Sequence, residues 1–416
     1  MIYRFFKSTF LFLLIAMVSC GNDPKSNLTS STEGDAQQEN AVSGPIVLGA
    51  DRTSEYLPLL KGKKVGVVGN QTSIIGSSAE KADEAAPVHL VDSLVSMGVE
   101  IVKVFAPEHG FRGTADAGEV IKDGVDVKTG LPILSLYGDN KKPSAEQLKG
   151  IEVMIFDIQD VGTRFYTYIS TLHYVMEACA ENNIPLIVFD RPNPNGHYID
   201  GPILEMEHKS FVGMHPIPVV HGLTIGEYAK MVNGEKFLTD SIQTELTVIE
   251  MENYNHEMEY DLPVKPSPNL PNATSINLYP SLCFFEGTNV NEGRGTSNQF
   301  QVFGSPFLDP AVYEYTYIPE SNEGAKHPKH LGKTCYGMDL TDSPRLDSIN
   351  LEWLVDAYKN TSDKSEFFNA FFTKLAGTTE LQEQIEKGMT AEEIKATWKD
   401  GLEEFAKTRE KYLLYE

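Results

Sequence analysis

Positive charge and cysteine are both scarce in this chain, and each scarcity narrows what the protein can do. Only 35 Lys and Arg stand against 59 Asp and Glu, a formal charge of −24 over 416 residues. No Lys/Arg cluster occurs, which excludes a surface that tracks nucleic-acid phosphates. The acidic excess reads as solubility. Of the 4 cysteines, Cys20 stands apart near the N-terminus, and Cys179 falls in a helical apolar pattern and reads as buried and inert. Cys283 and Cys335 are left as the pair expected to form one disulfide in an oxidising compartment.

Several familiar chemistries are missing as well. Gly66 and Gly69 have the wrong spacing for a dinucleotide fingerprint. There is neither a phosphate-cradling Gly-Lys-Ser/Thr loop nor a Gly-x-Ser-x-Gly nucleophile elbow. Ser78-Ala-Glu-Lys81 and Lys128-Thr-Gly130 imitate two penicillin-binding motifs, but too little chain separates them and the third motif is absent. Asp157, Asp160, His109, His173, His215 and His221 could donate to a metal, yet none shows the paired spacing of a recognised site, so no metal is expected. His215 and His221 read as hydrogen-bonded histidines in a Pro-rich loop.

Long apolar runs are also few. The run 10–18, preceded by Arg4 and Lys7 and closed by Ser19-Cys20, is too short for a comfortable membrane span and reads as a secretory signal over 1–20. A small residue before Cys20 fits a lipoprotein cleavage site, with Met17 a poor match to it, so Cys20 is the expected lipidation site. Residues 21–45 are polar, lack aromatics and read as a flexible tether. The rest, 46–416, divides into an α/β domain over 46–260 and a smaller domain over 261–416.

What is present is an alternation. Short β-rich runs at 64–68, 99–105, 132–136, 153–158 and 185–189 are separated by helical patterns at 88–97, 145–149 and 169–180. Nearly unbroken apolar strands between helices predict a doubly wound, mostly parallel sheet covered on both faces. Each strand is followed by polar residues: Asn70 and Gln71; Glu108, His109 and Arg112; Tyr137; Asp160 and Arg164; Asp190, Arg191 and Asn193. Ligands of parallel sheets bind outside the carboxyl ends of the strands, so these groups predict one polar pocket.

Downstream, Leu-Pro-Val-Lys-Pro-Ser-Pro-Asn-Leu-Pro (262–271) cannot be helical and reads as a crossing between domains. It leads to a glycine-rich stretch carrying Glu286, Glu292 and Arg294, read as a substrate-contacting loop. Near the end, Thr390 and Glu393 form a capping-box signature for a helix whose Ile394, Trp398, Leu402 and Phe405 share one face.

Gly-Asn-Gln-Thr-Ser (69–73), Phe-Ala-Pro-Glu-His-Gly-Phe-Arg-Gly (105–113), Asp-Ile-Gln-Asp-Val-Gly-Thr-Arg-Phe-Tyr-Thr-Tyr (157–168), Asp-Arg-Pro-Asn-Pro (190–194), Phe-Glu-Gly-Thr-Asn-Val (285–290) and Glu-Gly-Arg-Gly-Thr (292–296) resemble the motifs of the DUF1343 family. That family includes the NamZ-type exo-β-N-acetylmuramidases of glycoside hydrolase family 171, and the similarity extends from Val47 to the closing Tyr412-Leu-Leu-Tyr415. It implies a Rossmann-like domain, a smaller α+β C-terminal domain, a cleft between them, and release of N-acetylmuramic acid (MurNAc) from non-reducing ends of peptidoglycan fragments. No cofactor is implied.

Glycoside hydrolysis usually uses two carboxyl groups. Glu108, in a loop packed between Phe105 and Phe111, is the first choice for the acid, with His109 as its orienter or a substrate contact. Glu292 and Asp160 lead for the second carboxyl, ahead of Glu286, Asp116, Glu119 and Asp157. Muramic acid carries a lactyl carboxylate, which a planar guanidinium meets with two hydrogen bonds, so Arg112, Arg164, Arg191 and Arg294 are candidate contacts. Tyr166 and Tyr168 are candidates for stacking on sugar, and Asn70, Gln71 and Asn193 for hydrogen bonding. The leading expectation is a lipid-tethered periplasmic glycosidase. The alternatives are a non-catalytic saccharide-binding lipoprotein and a metal-dependent hydrolase.

Overall fold

A computed structural model describes residues 44–76, 87–112 and 123–415. The signal sequence with Cys20, nearly all of the tether, the 78–81 segment, Asp116 and Glu119 lie outside the described residues. Six strands run parallel: β1 (Lys64–Gly69), β2 (Glu100–Ala106), β4 (Pro132–Ser135), β5 (Val153–Asp157), β6 (Leu186–Phe189) and β7 (Leu246–Ile249). The short β3 (Gly124–Val125) adds an antiparallel edge, giving the order β3-β4-β2-β1-β5-β6-β7. Counting parallel strands alone, this is the Rossmann order 3-2-1-4-5-6, whose direction reverses between β1 and β5 and opens a crevice at their carboxyl ends.

The sheet is apolar on both faces because helices cover both. Val65, Val67, Ile155 and Phe189 pack with Leu90, Val91 and Leu94 of the helix Leu90–Ser96. On the other face, Val68, Phe105, Met154 and Phe156 pack with the helices Tyr168–Glu181 and Ile225–Gly234. Each fully buried Phe of this kind contributes about 1.5–3 kcal/mol relative to exposure.

The smaller C-terminal domain is built on β8 (Val302–Ser305), β9 (Tyr315–Tyr317) and β10 (Cys335–Asp339), antiparallel in the order β8-β10-β9, together with short helices. Its Phe284, Phe285, Phe303 and Phe372 continue the core of the second sheet face. The chain end returns to the first domain, where the Tyr415 hydroxyl donates to Asp190 Oδ2 (2.7 Å) and the Leu414 N–H to Glu227 Oε1 (2.8 Å).

Three expectations are corrected. Cys283 and Cys335 are free and buried, as is Cys179, so no disulfide joins them. Cys283 opens a 3-10 turn beside Tyr279, whereas Cys335 begins β10. Residues 88–97 are not one helix: Val88–His89 pairs as a short strand with Ile74–Ile75 before the helix begins. The capping box at Thr390 and Glu393 is present, but its helix stops at Ala396, and Lys399–Glu410 forms a second one. Among the described residues no helix is long and apolar enough to cross a membrane.

Candidate active site

At the carboxyl ends of β2, β4 and β5 lies a cavity of about 380 Å³, roofed by the second domain. The first domain contributes Glu108, His109, Tyr137, Phe165, Tyr166 and Thr167, and the second contributes Tyr279, Glu286, Arg294, Phe300 and Phe371. The crossing segment supplies Ser267, Asn269 and Leu270. Glu108 follows β2 directly, and the backbone then turns sharply, with His109 (φ 70°) and Gly110 (φ 77°) both left-handed. A buried histidine held in that region is a local strain of the kind that clusters at functional sites.

Glu108 Oε2 accepts a hydrogen bond from Thr167 Oγ1 (2.8 Å), and the Tyr137 hydroxyl also bonds to this carboxyl. Burial, with the nearby Glu108 charge, pushes the Tyr137 phenol upward, so it stays a protonated donor. Across the cavity, Glu286 Oε1 meets Arg294 Nη1 at 3.3 Å. Burial raises the Glu286 pKa; Arg294 and Lys329 oppose the rise, and the charges of Glu292 and Glu108 reinforce it. Among the described residues the cavity thus combines two carboxyls from different domains, one guanidinium and aromatic walls in which Tyr166 and Tyr279 meet edge to face (5.9 Å).

Family models described as the N-terminal and C-terminal domains of exo-β-N-acetylmuramidase NamZ match residues 65–274 and 277–415. The chain belongs to the NamZ family. It is 39% identical over 409 residues to the peptidoglycan β-N-acetylmuramidase NamZ of Bacillus subtilis strain 168, covering 93% of this chain and 95% of that one. Two crystal structures of DUF1343 family proteins from Bacteroides fragilis superpose on it. One is 46% identical with a TM-score of 0.81, the other 28% identical with 0.75, each covering 89% of this chain and 99% of its own.

Within this NamZ-family fold, Glu108, His109, Tyr166, Glu286 and Arg294 meet at the cavity. The two leading candidates for the second carboxyl do not line it. Glu292 is buried behind the wall and paired with Lys329 Nζ (2.8 Å). Asp160 is buried in the turn after β5, where its Oδ2 accepts the Gly162 N–H (2.7 Å). Burial pushes Asp160 up to about 7, opposed by the backbone hydrogen bonds of Gly162 and Val161, and pushes the neighbouring His221 down to about 3.

The four arginines divide by environment. Arg191 is buried against Asp157 (2.6 and 2.9 Å). Arg164 is buried without a carboxylate: its Nη1 donates to the carbonyls of Pro202 and Ile217, and its Nη2 to those of Leu375 and Ala376, all at 2.7–2.9 Å. It therefore ties the turn carrying Phe165, Tyr166 and Thr167 to the second domain. Arg112 pairs with Asp92 and Asp126 and lines a neighbouring cavity. Arg294 alone of the four lines the cavity of the two carboxyls.

Asn70, Gln71 and Tyr168 hold the crossing segment in place. The Tyr168 hydroxyl receives Asn70 Nδ2 (2.8 Å) and donates to the Pro266 carbonyl (3.1 Å), and Gln71 Nε2 reaches the carbonyls of Lys265 and Pro266. Asn193 bonds the Leu223 carbonyl and the Asn195 N–H within the core. His173 and His215 bond each other (3.0 Å), and His215 bonds Tyr228 (2.7 Å). Among the described residues the group of three potential metal-ligating side chains lying within 4.8 Å of one another is Glu205, Glu207 and His208, none of which lines the cavity. Sequence reasoning missed Thr167, although it lies inside a quoted motif. It also missed Asn269, inside the quoted crossing segment, and Phe300 and Phe371, for which no signal was visible.

Proposed function

We propose that this chain is an exo-acting β-N-acetylmuramidase that hydrolyses the bond of a non-reducing terminal MurNAc in peptidoglycan fragments. The observation that carries this reading is the presence of Glu108, Glu286 and Arg294 in one cavity at the meeting of two domains. Arg294, which lines the cavity beside Glu286, meets the lactyl carboxylate, and the aromatic walls offer faces to the sugar ring. Glu286, whose burial favours the protonated form, is the donor to the leaving oxygen. Glu108, the first choice for the acid in the sequence, takes the other role here: hydroxyl donors from Thr167 and Tyr137 favour its ionised form, and it assists attack at the anomeric carbon.

Recognition and acid catalysis are linked in this scheme. A lactyl carboxylate that draws Arg294 away from Glu286 removes the cation that lowers its pKa, so Glu286 holds its proton more firmly with the correct substrate bound. Release of nitrophenol from 4-nitrophenyl β-MurNAc, with none from the β-GlcNAc analogue, tests the reading; equal rates on both contradict it.

Acylation of Cys20, with anchoring in the bacterial envelope and the catalytic domains in the periplasm, completes the proposal. Support comes from the charged, apolar and Ser-Cys pattern of residues 1–20. Labelling with a clickable palmitate should mark the wild-type chain and miss Cys20→Ser; equal labelling of both refutes it.

A further inference from the structure

A second cavity of about 760 Å³ opens beside the first and shares Ser267 with it as a common wall. Arg294 and Gly295, consecutive in the chain, line the first and second cavity respectively, and Arg294 Nη2 reaches the Gly324 carbonyl (3.3 Å) on the far side. Among the described residues no aromatic side chain lines the second cavity, in contrast to the first. Its walls are largely amides and hydroxyls, among them Gln71, Thr296, Ser297, Gln299 and Asn322.

Three amides at and around the junction share one feature. Gln71 Nε2 donates to the carbonyls of Lys265 (3.1 Å) and Pro266 (3.2 Å), Asn269 Nδ2 to Gly324 (2.6 Å) and Asn322 Nδ2 to Thr296 (3.1 Å). Those bonds fix which end of each amide is nitrogen. The amide oxygens of all three are buried and accept no hydrogen bond from the described residues. Asn269 is only 3% exposed, so its oxygen carries the cost of an unmade bond. Acceptors without donors call for a ligand rich in O–H and N–H groups. Charges of both signs share the wall: Glu320 and Glu323 stand with Lys265 and with Arg112, which is paired with Asp92 and Asp126.

We propose that this second cavity binds the departing saccharide, the N-acetylhexosamine units on the reducing side of the scissile bond, through the amide oxygens of Gln71 and Asn322, with that of Asn269 serving from the first cavity at the junction. Hydroxyls and the acetamido N–H of such units are the donors these oxygens lack. The cavity has about twice the volume of the first, so if that one holds a single sugar, this one holds two. The inference rests on the muramidase reading for the identity of the bond cleaved, and not for the binding itself.

The test uses wild type, Asn322→Leu and Ser297→Trp, the last placing a large ring in the cavity from an exposed position that leaves the core untouched. Two quantities are read: the ratio of kcat/KM on the tetrasaccharide (MurNAc-GlcNAc)2 to that on 4-nitrophenyl β-MurNAc, and the calorimetric affinity for the trisaccharide GlcNAc-MurNAc-GlcNAc. The expected result is a fall of about tenfold in both for each variant, the size of one or two lost hydrogen bonds. Unchanged ratio and affinity in both variants overturn the proposal. Wild type that cleaves neither substrate, yet binds the trisaccharide in an Asn322-dependent way, would sustain the site and refute the muramidase reading.

Discussion

Replacing Arg294 by Met tests recognition and acid catalysis in one protein. Arg294 lies 3.3 Å from Glu286, and about a fifth of its side chain is exposed. At that distance and an effective dielectric near 20, the bare attraction is about 5 kcal/mol. Solvent screening and desolvation leave an effective 1–2 kcal/mol. Loss of the cation therefore raises Glu286 further, and the alkaline limb of the kcat/KM profile, where the acid loses its proton, moves to higher pH. Loss of a charge-assisted contact to the lactyl carboxylate costs about 1.5–3 kcal/mol more, a 10- to 150-fold fall in kcat/KM on 4-nitrophenyl β-MurNAc. Initial rates from pH 4 to 9 on that substrate measure both effects. An alkaline limb that stays in place, with a MurNAc preference over GlcNAc equal to wild type, would refute the pairing of Arg294 with both substrate and acid.

Glu108→Gln keeps the shape and the contact with Thr167 but cannot assist attack; turnover should fall about 100-fold or more while calorimetry shows saccharide binding retained, and loss of binding in step with turnover would contradict this. Asp160→Asn should alter the dependence of stability on pH. Burial raises Asp160 to about 7, so the stability present below the unfolded carboxyl pKa near 4 is lost as pH climbs through about 7. In urea titrations the variant should gain on wild type by up to about 4 kcal/mol between pH 4 and 8, and a constant difference across that range would count against the assignment. Arg164→Met leaves the buried carbonyls of Pro202, Leu375 and Ala376 without this donor, at about 1–3 kcal/mol each, and takes one of two donors from Ile217, which keeps the Leu204 N–H; the sum approaches the whole stability of a typical domain. It should be recovered largely insoluble, and a soluble variant melting within a few degrees of wild type would disprove its role as the tie between domains.

The sheet was largely legible because its strands are buried on both faces and read as unbroken apolar runs; all five expected strands occur. Leu246–Ile249 escaped because it alternates, with Thr247 exposed at the sheet edge. The site was harder to read. Motif membership identified segments without separating groups that face a ligand from groups that hold the segment: in Thr-Arg-Phe-Tyr-Thr-Tyr (163–168), Arg164 and Tyr168 point into structural bonds while Tyr166 and Thr167 line the cavity. Chain proximity also misled. Glu292 is two residues from Arg294 yet turned inward to Lys329, whereas Glu286, eight residues from Arg294, is its partner. Whether a carboxyl faces a cavity or a lysine is decided by tertiary packing, which local pattern does not encode.

The most direct test of the central claim is product analysis after incubating protein starting at residue 45 with the disaccharide MurNAc-GlcNAc and, in parallel, with GlcNAc-MurNAc. The account predicts free MurNAc from the first, no release from the second, and loss of that release in Glu108→Gln. Release of GlcNAc from the second disaccharide, or no cleavage of either, would contradict it.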